Sequence, residues 1–144
     1  MPLAFEPIGI IHTPFKNLDG TPSQGAAARG AKGTVEVFPE FAEGLKDIET
    51  FSHIILLYRF DRAWEVRLVR PGSQDKLPHG VFASRHPCRP NGIGMTVTQL
   101  LERSGNRLEV EGIDMLDGTP LLDIKPYIAR FDCFPGANEG WLGK

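Results

Sequence analysis

The sequence predicts a small, mainly β domain, a single β-barrel with few short helices, and a β-sandwich is the alternative arrangement of the same strands. Three observations predict it. The chain has 144 residues, the length of one domain, so we expect residues 1–144 to fold as one unit. It contains 16 Gly and 12 Pro, which is typical of short strands joined by turns. Several short segments alternate apolar and polar residues, and closing such strands into a barrel would remove exposed edges.

The first third of the chain predicts two strands and a short helix. Residues 5–11 (FEPIGII) read as the first strand, which ends at Thr13 because the residue before a proline is pushed to extended geometry. Residues 17–33 form a long loop rich in Gly and Ala. Residues 34–38 (TVEVF) alternate as a strand. Pro39 suits the first turn of a helix that runs through Glu43, with another turn over residues 45–48.

The central third begins with the most apolar segment. Residues 52–60 (SHIILLYRF) predict a strand buried on both faces. Residues 63–69 alternate and predict another strand, residues 70–80 a polar loop, and residues 81–84 a short strand.

The last third predicts three further strands. They cover residues 95–101, 107–111 and 121–125, with turns at residues 104–106 and 117–118. We expect the Gly-rich tail after Phe131 to be loose.

Composition excludes several classes of protein. No apolar run approaches the ~18–20 residues that a membrane-spanning helix needs, and the N-terminus lacks the basic and apolar regions of a secretory signal. Two cysteines exclude a disulfide-rich scaffold and cannot hold zinc alone. We therefore expect a cytoplasmic protein with no membrane contact.

Charge is uneven along the chain. The net charge of −2 argues against a generic nucleic-acid binder. Residues 59–89, however, hold six arginines and one lysine against three acidic residues. This segment predicts an anion-binding or RNA-binding surface. The alternative is that these arginines lie singly on different faces and pair with acidic residues.

Several well-known site motifs are absent from the sequence. There is no GxGxxG after a strand, so a Rossmann cofactor site is not supported. There is no GxSxG nucleophile motif and no HxxxH pair. We expect no metal site.

Three segments contain most of the side chains that are suited to catalysis or ligand binding. Residues 82–96 (FASRHPCRPNGIGMT) form a stiff loop in which Arg85 and Arg89 are suited to bind a carboxylate or phosphate, although they could also be exposed on a rigid connection. Residues 111–120 (EGIDMLDGTP) offer carboxylates that could accept hydrogen bonds from hydroxyls or amines, or form an acidic turn. Asp123, Lys125 and Tyr127 share one face of a strand and are either catalytic or solvent-facing.

These segments resemble the TsaA-like (TrmO) family of S-adenosylmethionine-dependent tRNA methyltransferases. The matching motifs are IGIIHTPF (8–15), Pro22-Ser23-Gln24, GLKDIETFSHIILLYRFD (44–61), VFASRHPCRPNGIGMT (81–96) and IDMLDGTPLLDIKPY (113–127). They follow the family order over most of residues 5–131. The resemblance implies one β-barrel domain that forms a homodimer, without the C-terminal extension of some relatives.

The resemblance also implies a function and a site. The substrate would be threonylcarbamoyladenosine in the tRNA anticodon loop, methylated on its exocyclic nitrogen. S-adenosylmethionine would be bound by Pro22, Ser23, Gln24, Asp61, Arg62, Arg85, Met95, Glu111, Gly112, Ile113 and Asp114. The candidates for the general base are Asp123, Tyr127 and Asp114, and the candidates for phosphate contacts are Arg62, Arg67 and Arg89.

Two other functions remain open at the level of sequence. The chain could methylate another small or RNA substrate. It could also be a non-enzymatic RNA- or nucleotide-binding barrel, in which case RNA would bind with a steep salt dependence and no methyl transfer.

Overall fold

A computed structural model describes residues 2–16, 30–62 and 65–143. Within these ranges the strands are β1 (Gly9–His12), β2 (Lys32–Val37), β3 (His53–Arg59), β4 (Val69–Pro71), β5 (Pro78–Gly80), β6 (Ile93–Ser104), β7 (Arg107–Glu111) and β8 (Thr119–Pro126). The helical segments are α1 (Ala129–Asp132) and the 3-10 segments Pro39–Leu45, Ile48–Thr50, Val81–Ala83, Pro90–Gly92 and Gly140–Gly143. None of these segments is long and apolar enough to cross a membrane. The predicted mainly β class is confirmed.

Six strands close into a barrel in the order β1-β2-β7-β6-β3-β8, and β8 returns to β1. All six pairings are antiparallel. The predicted barrel is therefore confirmed, and the alternative of a sandwich is excluded. Closure leaves no free edge among these strands.

Side chains that point into the barrel form the core. Ile54 and Leu56 on β3 are fully buried, as are Leu108 and Val110 on β7. The prediction that β3 is buried on both faces is wrong, because its residues alternate between buried and half-buried or exposed. The outer face of a barrel strand meets solvent or another molecule, so only every second residue enters the core.

The connection between β3 and β6 differs from its prediction. Residues 65–68 form no strand and are exposed, and residues 63 and 64 lie outside the described residues. The predicted loop at 70–80 holds the short antiparallel hairpin β4–β5. The predicted strand at 81–84 is the 3-10 segment Val81–Ala83, in which Val81 is buried while Phe82 and Ala83 are exposed. Alternation alone misled here, since these residues have no barrel face to bury.

Trp141 packs the end of the C-terminal tail on the β4–β5 hairpin, so the prediction of a loose tail is wrong there, although residues 133–140 are exposed. The Trp141 ring stacks on His79 with centroids 3.9 Å apart, and its Nε1 donates a hydrogen bond to the Ala83 carbonyl at 2.8 Å. Asp75 accepts a hydrogen bond from His79 Nε2 at 2.9 Å. Gly72 leaves room for this stack, because a Cβ there would lie 2.9 Å from the Trp141 ring.

Candidate functional site

A cleft of about 1210 Å³ opens at one end of the barrel. It is lined by residues that follow β3, by the segment between β7 and β8, by the 82–87 loop, by the β4–β5 hairpin and by tail residues 138–142. Pockets for one small molecule usually have volumes of about 300–1,000 Å³. The cleft is therefore large enough for a cofactor and part of a second molecule.

The first charged pair in the cleft follows β3. Arg62 Nη1 donates to Asp61 Oδ1 at 2.6 Å, and Arg62 Nη2 donates to the Asp117 carbonyl. Arg62 thus joins the end of β3 to the turn before β8. The pair therefore places a positively charged donor, Arg62, and a negatively charged acceptor, Asp61, on this side of the cleft.

A buried chain of hydrogen bonds ends in the cleft at Asp114. Thr96 Oγ1 donates to Asp114 Oδ1 at 2.7 Å, and the Tyr58 hydroxyl lies 2.7 Å from the same Thr96 oxygen. Because Thr96 has one hydroxyl proton and gives it to Asp114, Tyr58 donates to Thr96 when Asp114 is ionised. Tyr58 and Asp114 both line the cleft, and Thr96 connects them from inside the barrel.

Burial shifts the ionisation of both ends of this chain. It raises the pKa of Asp114 above the ordinary carboxyl value, while the Thr96 hydrogen bond and the Arg85 charge act in the opposite direction. It also raises the pKa of Tyr58, and the charge of Asp114 adds to that rise. Tyr58 therefore stays protonated as a donor, and Asp114 is a more basic carboxylate than usual.

Gly94 makes room for Tyr58. A Cβ at Gly94 would lie 2.3 Å from Tyr58 Cε2 and 2.9 Å from Phe60 Cζ. The Tyr58 and Phe60 rings meet edge to face with centroids 5.5 Å apart. Gly94 therefore positions two aromatic rings of the cleft.

The loop of residues 82–89, which contains Arg85 and Arg89, is stabilised by hydrogen bonds from its own side chains. Arg89 Nη1 donates to the carbonyls of Ser84 at 2.9 Å and His86 at 3.3 Å. Asn91 and Gly92 both adopt left-handed backbone geometry, with φ of 68° and 60°. The loop presents Arg85 to the cleft on this fixed backbone.

His86 remains neutral at pH 7. Burial lowers its pKa, and the charges of Arg70, Arg67 and Arg89 lower it further. Its Nδ1 accepts the Cys88 backbone N–H at 3.1 Å, so it serves as a structural acceptor in the loop. The charges of Arg70, Arg67 and Arg89 therefore reach the His86 ring at the edge of the cleft.

The structure places four of the sequence-predicted residues in the cleft lining: Asp61, Arg62, Arg85 and Asp114. The predicted Pro22, Ser23 and Gln24 lie outside the described residues. The other candidates do not line the cleft of this chain, namely Met95, Glu111, Gly112, Ile113, Asp123, Tyr127, Arg67 and Arg89.

The geometry of the strands explains these other positions. Met95 alternates with the inward-facing Gly94 and Thr96, so it lies on the outer face of β6 and is 40% exposed. Ile113 is fully buried in the core. Asp123 pairs with Lys125 at 3.2 Å, and the Tyr127 ring lies edge-on to His53.

Sequence reasoning missed Thr96, Tyr58 and Trp141 as parts of the site or its walls. Thr96 had one available signal, because alternation along β6 turns it toward the barrel interior, where a hydroxyl needs a partner. Tyr58 had the same signal, because it alternates with the inward-facing Ile54 and Leu56 on β3. Trp141 had none, since its contact is made with a residue far away in the chain. No group of three or more potential metal ligands occurs in the part of the chain that the structure describes.

Residues 10–133 match the model of the tRNA-methyltransferase O N-terminal domain. The chain belongs to this family. The TrmO family is one of tRNA methyltransferases, and the match covers every barrel strand except the first residue of β1. It ends before the tail residues that line the cleft.

Relatives of the TrmO family resemble this chain over nearly its whole length. A probable S-adenosyl-L-methionine-binding protein of Pyrococcus abyssi is 56% identical, over 99% of this chain and 77% of the relative. A mouse tRNA (adenine(37)-N6)-methyltransferase is 36% identical, over 90% of this chain and 32% of the relative. TrmO from Pseudomonas aeruginosa, known from a crystal structure, is 40% identical to this chain in sequence. The two structures superpose with a TM-score of 0.83, over 100% of this chain and 64% of TrmO. The chain thus spans less than two thirds of these last two proteins.

Proposed function

We propose that this chain is an S-adenosylmethionine-dependent tRNA methyltransferase whose reaction takes place in the cleft at the end of the barrel. One observation carries the proposal: strand ends and loops that are distant in sequence bring Asp61, Arg62, Arg85 and Asp114 into one cleft. Membership of the TrmO family and the names of the relatives support the same activity.

The residues of the cleft fit the cofactor chemically. Arg85 is suited to the carboxylate of the methionine part, since a guanidinium binds a carboxylate through paired hydrogen bonds. Asp61 supplies an acceptor for an amino group or a ribose hydroxyl. When bound, S-adenosylmethionine supplies a methyl group carried on a positively charged sulfur.

Asp114 is the general base that we favour among the three sequence candidates. It lines the cleft, whereas Asp123 and Tyr127 do not. Its carboxylate accepts the proton of the exocyclic nitrogen of the substrate, which is acidified by its carbamoyl substituent. A pKa raised by burial strengthens a base, and the hydrogen bond from Thr96 fixes its orientation.

The proposed acceptor is threonylcarbamoyladenosine in the anticodon loop of tRNA. The name of the mouse relative specifies N6 of adenine 37, which is the exocyclic nitrogen that the proposal requires. The threonylcarbamoyl group is the part of the proposal that rests on the family resemblance alone. Arg67 is the phosphate contact that we favour, because it is exposed, whereas Arg62 and Arg89 bond to carbonyl groups of the protein.

We also propose a homodimer. The outer face of β6 exposes Ile93, Met95, Val97 and Leu101 by 38–43%. Ile55 and Leu57 on β3 lie directly beside Val97 and Met95. The apolar surface around Met95 and Val97 suits a second copy of the chain. We propose that the protein acts in the cytoplasm, where tRNA is present.

Calorimetric titration with S-adenosylmethionine tests the cofactor part of the proposal. The unsubstituted protein should bind it, and Arg85→Ala should lose at least tenfold in affinity, because one charge-assisted hydrogen bond contributes about 1.5–3 kcal/mol. Arg130→Ala is the matched control, since Arg130 is exposed on α1 and does not line the cleft. Absence of binding to the unsubstituted protein would refute the proposal.

A further inference from the structure

Phe82 exposes its ring at the cleft. It is 76% exposed and lines the cleft, while its neighbour Val81 is 1% exposed. Solvent exposure of an aromatic ring forgoes the free energy that burial would give, so an exposed ring beside a site is a candidate for ligand contact.

The backbone that carries Phe82 is held on both sides. Val81 N–H donates to the Leu68 carbonyl at 2.8 Å, and Ser84 Oγ donates to the Val81 carbonyl at 3.1 Å. Trp141 Nε1 donates to the Ala83 carbonyl. A ring on a fixed backbone loses little conformational entropy when a partner stacks on it.

The loop that carries Phe82 is positively charged, since residues 82–89 hold Arg85 and Arg89 and no acidic residue. The cleft as a whole carries charges of both signs, because Arg70 and Arg85 line it together with Asp61, Asp114 and Glu139. The charges of Arg67, Arg70 and Arg89 reach His86, four residues after Phe82. The partner of this ring should therefore combine a flat apolar face with negative charge, and an unpaired base beside its phosphates does so.

We propose that Phe82 is a stacking residue for the acceptor nucleobase when the RNA enters the cleft. This inference rests on the proposed function and adds a substrate-positioning residue to it. The acceptor base has to leave the anticodon stack to reach the cleft, and stacking on Phe82 replaces contacts that it loses.

A two-by-two comparison of binding tests the proposal. The RNA is a fluorescent anticodon stem-loop, either intact or abasic at the acceptor position, and anisotropy gives its Kd. Phe82→Ala should weaken binding of the intact RNA by about 5- to 150-fold, the usual effect of losing one stacked base. It should leave binding of the abasic RNA unchanged, because the stacking partner is already gone. Phe82→Tyr should retain the affinity of the unsubstituted protein for intact RNA.

The matched control is Phe134→Ala. Phe134 is 72% exposed and does not line the cleft, so its removal should leave RNA binding unchanged. Equal losses for intact and abasic RNA, or no loss for either, would overturn the inference. So would a change in oligomeric state caused by Phe82→Ala, since the ring would then contact a second copy.

Titration with S-adenosylmethionine separates this inference from the function beneath it. If the unsubstituted protein binds the cofactor and methylates RNA while Phe82→Ala binds RNA normally, only the inference fails. If the unsubstituted protein binds no cofactor, the proposed function fails whatever Phe82 does.

Discussion

At the scale of single residues, the proposed chemistry depends on Asp114, which lines the cleft. It is 8% exposed, and its environment disfavours the charged form. The chain from Tyr58 through Thr96 partly offsets that cost by donating a hydrogen bond to the carboxylate. In the proposed reaction Thr96 and Tyr58 would be positioning residues, because they would act on the substrate through Asp114.

Thr96→Val should move the acid limb of the pH–rate profile to higher pH. The substitution removes the Thr96 hydrogen bond, which stabilises the carboxylate and lowers the pKa of Asp114. Methyl-transfer rates measured between pH 5 and 9 check this. Thr98→Val is the control, since Thr98 points inward from the same strand but its hydroxyl bonds to the Ile54 carbonyl. An unshifted limb in Thr96→Val would contradict the assignment of Asp114 as the base.

Asp114→Asn should raise the melting temperature at pH 7 while abolishing methyl transfer. The raised pKa of Asp114 means that the folded protein binds a proton here more tightly than the unfolded chain does. The native state therefore loses stability as pH rises through this window, and an uncharged amide avoids the loss. The difference in melting temperature should shrink as pH falls toward the ordinary carboxyl pKa. A variant that melts lower at pH 7 would show that charge at Asp114 stabilises the fold.

At the scale of elements, the close approach of β3 and β6 holds the site. Gly94 on β6 pairs with Tyr58 on β3, and the Tyr58 ring fills the space where a Cβ would stand. The two strands thus carry the hydrogen-bonded chain to Asp114 and also fix the ring that begins it.

Gly94→Ala should lower the free energy of unfolding by about 1–3 kcal/mol, the usual cost of overpacking a core. Urea denaturation followed by circular dichroism measures it. Gly44→Ala is the matched control, because nothing lies within 4 Å of a Cβ built at Gly44. Equal stability of the two variants would mean that Tyr58 moves away without cost.

The local sequence pattern correctly predicted strands that pair with the next strand along the chain. The alternation of residues 107–111 and the Ser104-Gly105-Asn106 turn predict β7 and its pairing with β6, as found. Alternation misled at residues 65–68, where no strand partner exists. The Trp141 stack on His79 joins the tail to a distant hairpin, and no local pattern encodes such a contact.

Only part of the candidate site was predictable from the sequence. Arg85 and Asp114 stand in motifs that a reader of the sequence can find, and both line the cleft. The chain behind Asp114 was not predictable, because its bonds join residues 38 and 18 positions apart. The pairing of β3 with β6 brings Tyr58 to Thr96, and the segment that follows β7 brings Asp114 to them.

At the scale of the whole molecule, the barrel has two distinct surfaces that are suited to binding. One end carries the cleft, and the outer face of β6 carries the exposed apolar residues. The proposal assigns the first to cofactor and RNA and the second to a partner copy.

Val97→Glu should convert the proposed dimer to a monomer. Val97 is 38% exposed, so a carboxylate is tolerated in the lone chain but not between two apolar surfaces. Sedimentation equilibrium gives the mass. Phe134→Glu places the same charge on another exposed apolar residue and should leave the mass unchanged. A Val97→Glu protein that keeps the mass of a dimer would exclude this face as the interface.

The most direct test of the account is methyl transfer itself. Isotope-labelled S-adenosylmethionine is incubated with the protein and tRNA that carries or lacks the threonylcarbamoyl group, and the digested nucleosides are analysed by mass spectrometry. The account predicts labelled methyl on the exocyclic nitrogen of the modified adenosine, and none with Asp114→Asn. No label in either tRNA, with a protein that binds the cofactor, would contradict the proposed acceptor. Label retained by Asp114→Asn would contradict the proposed base.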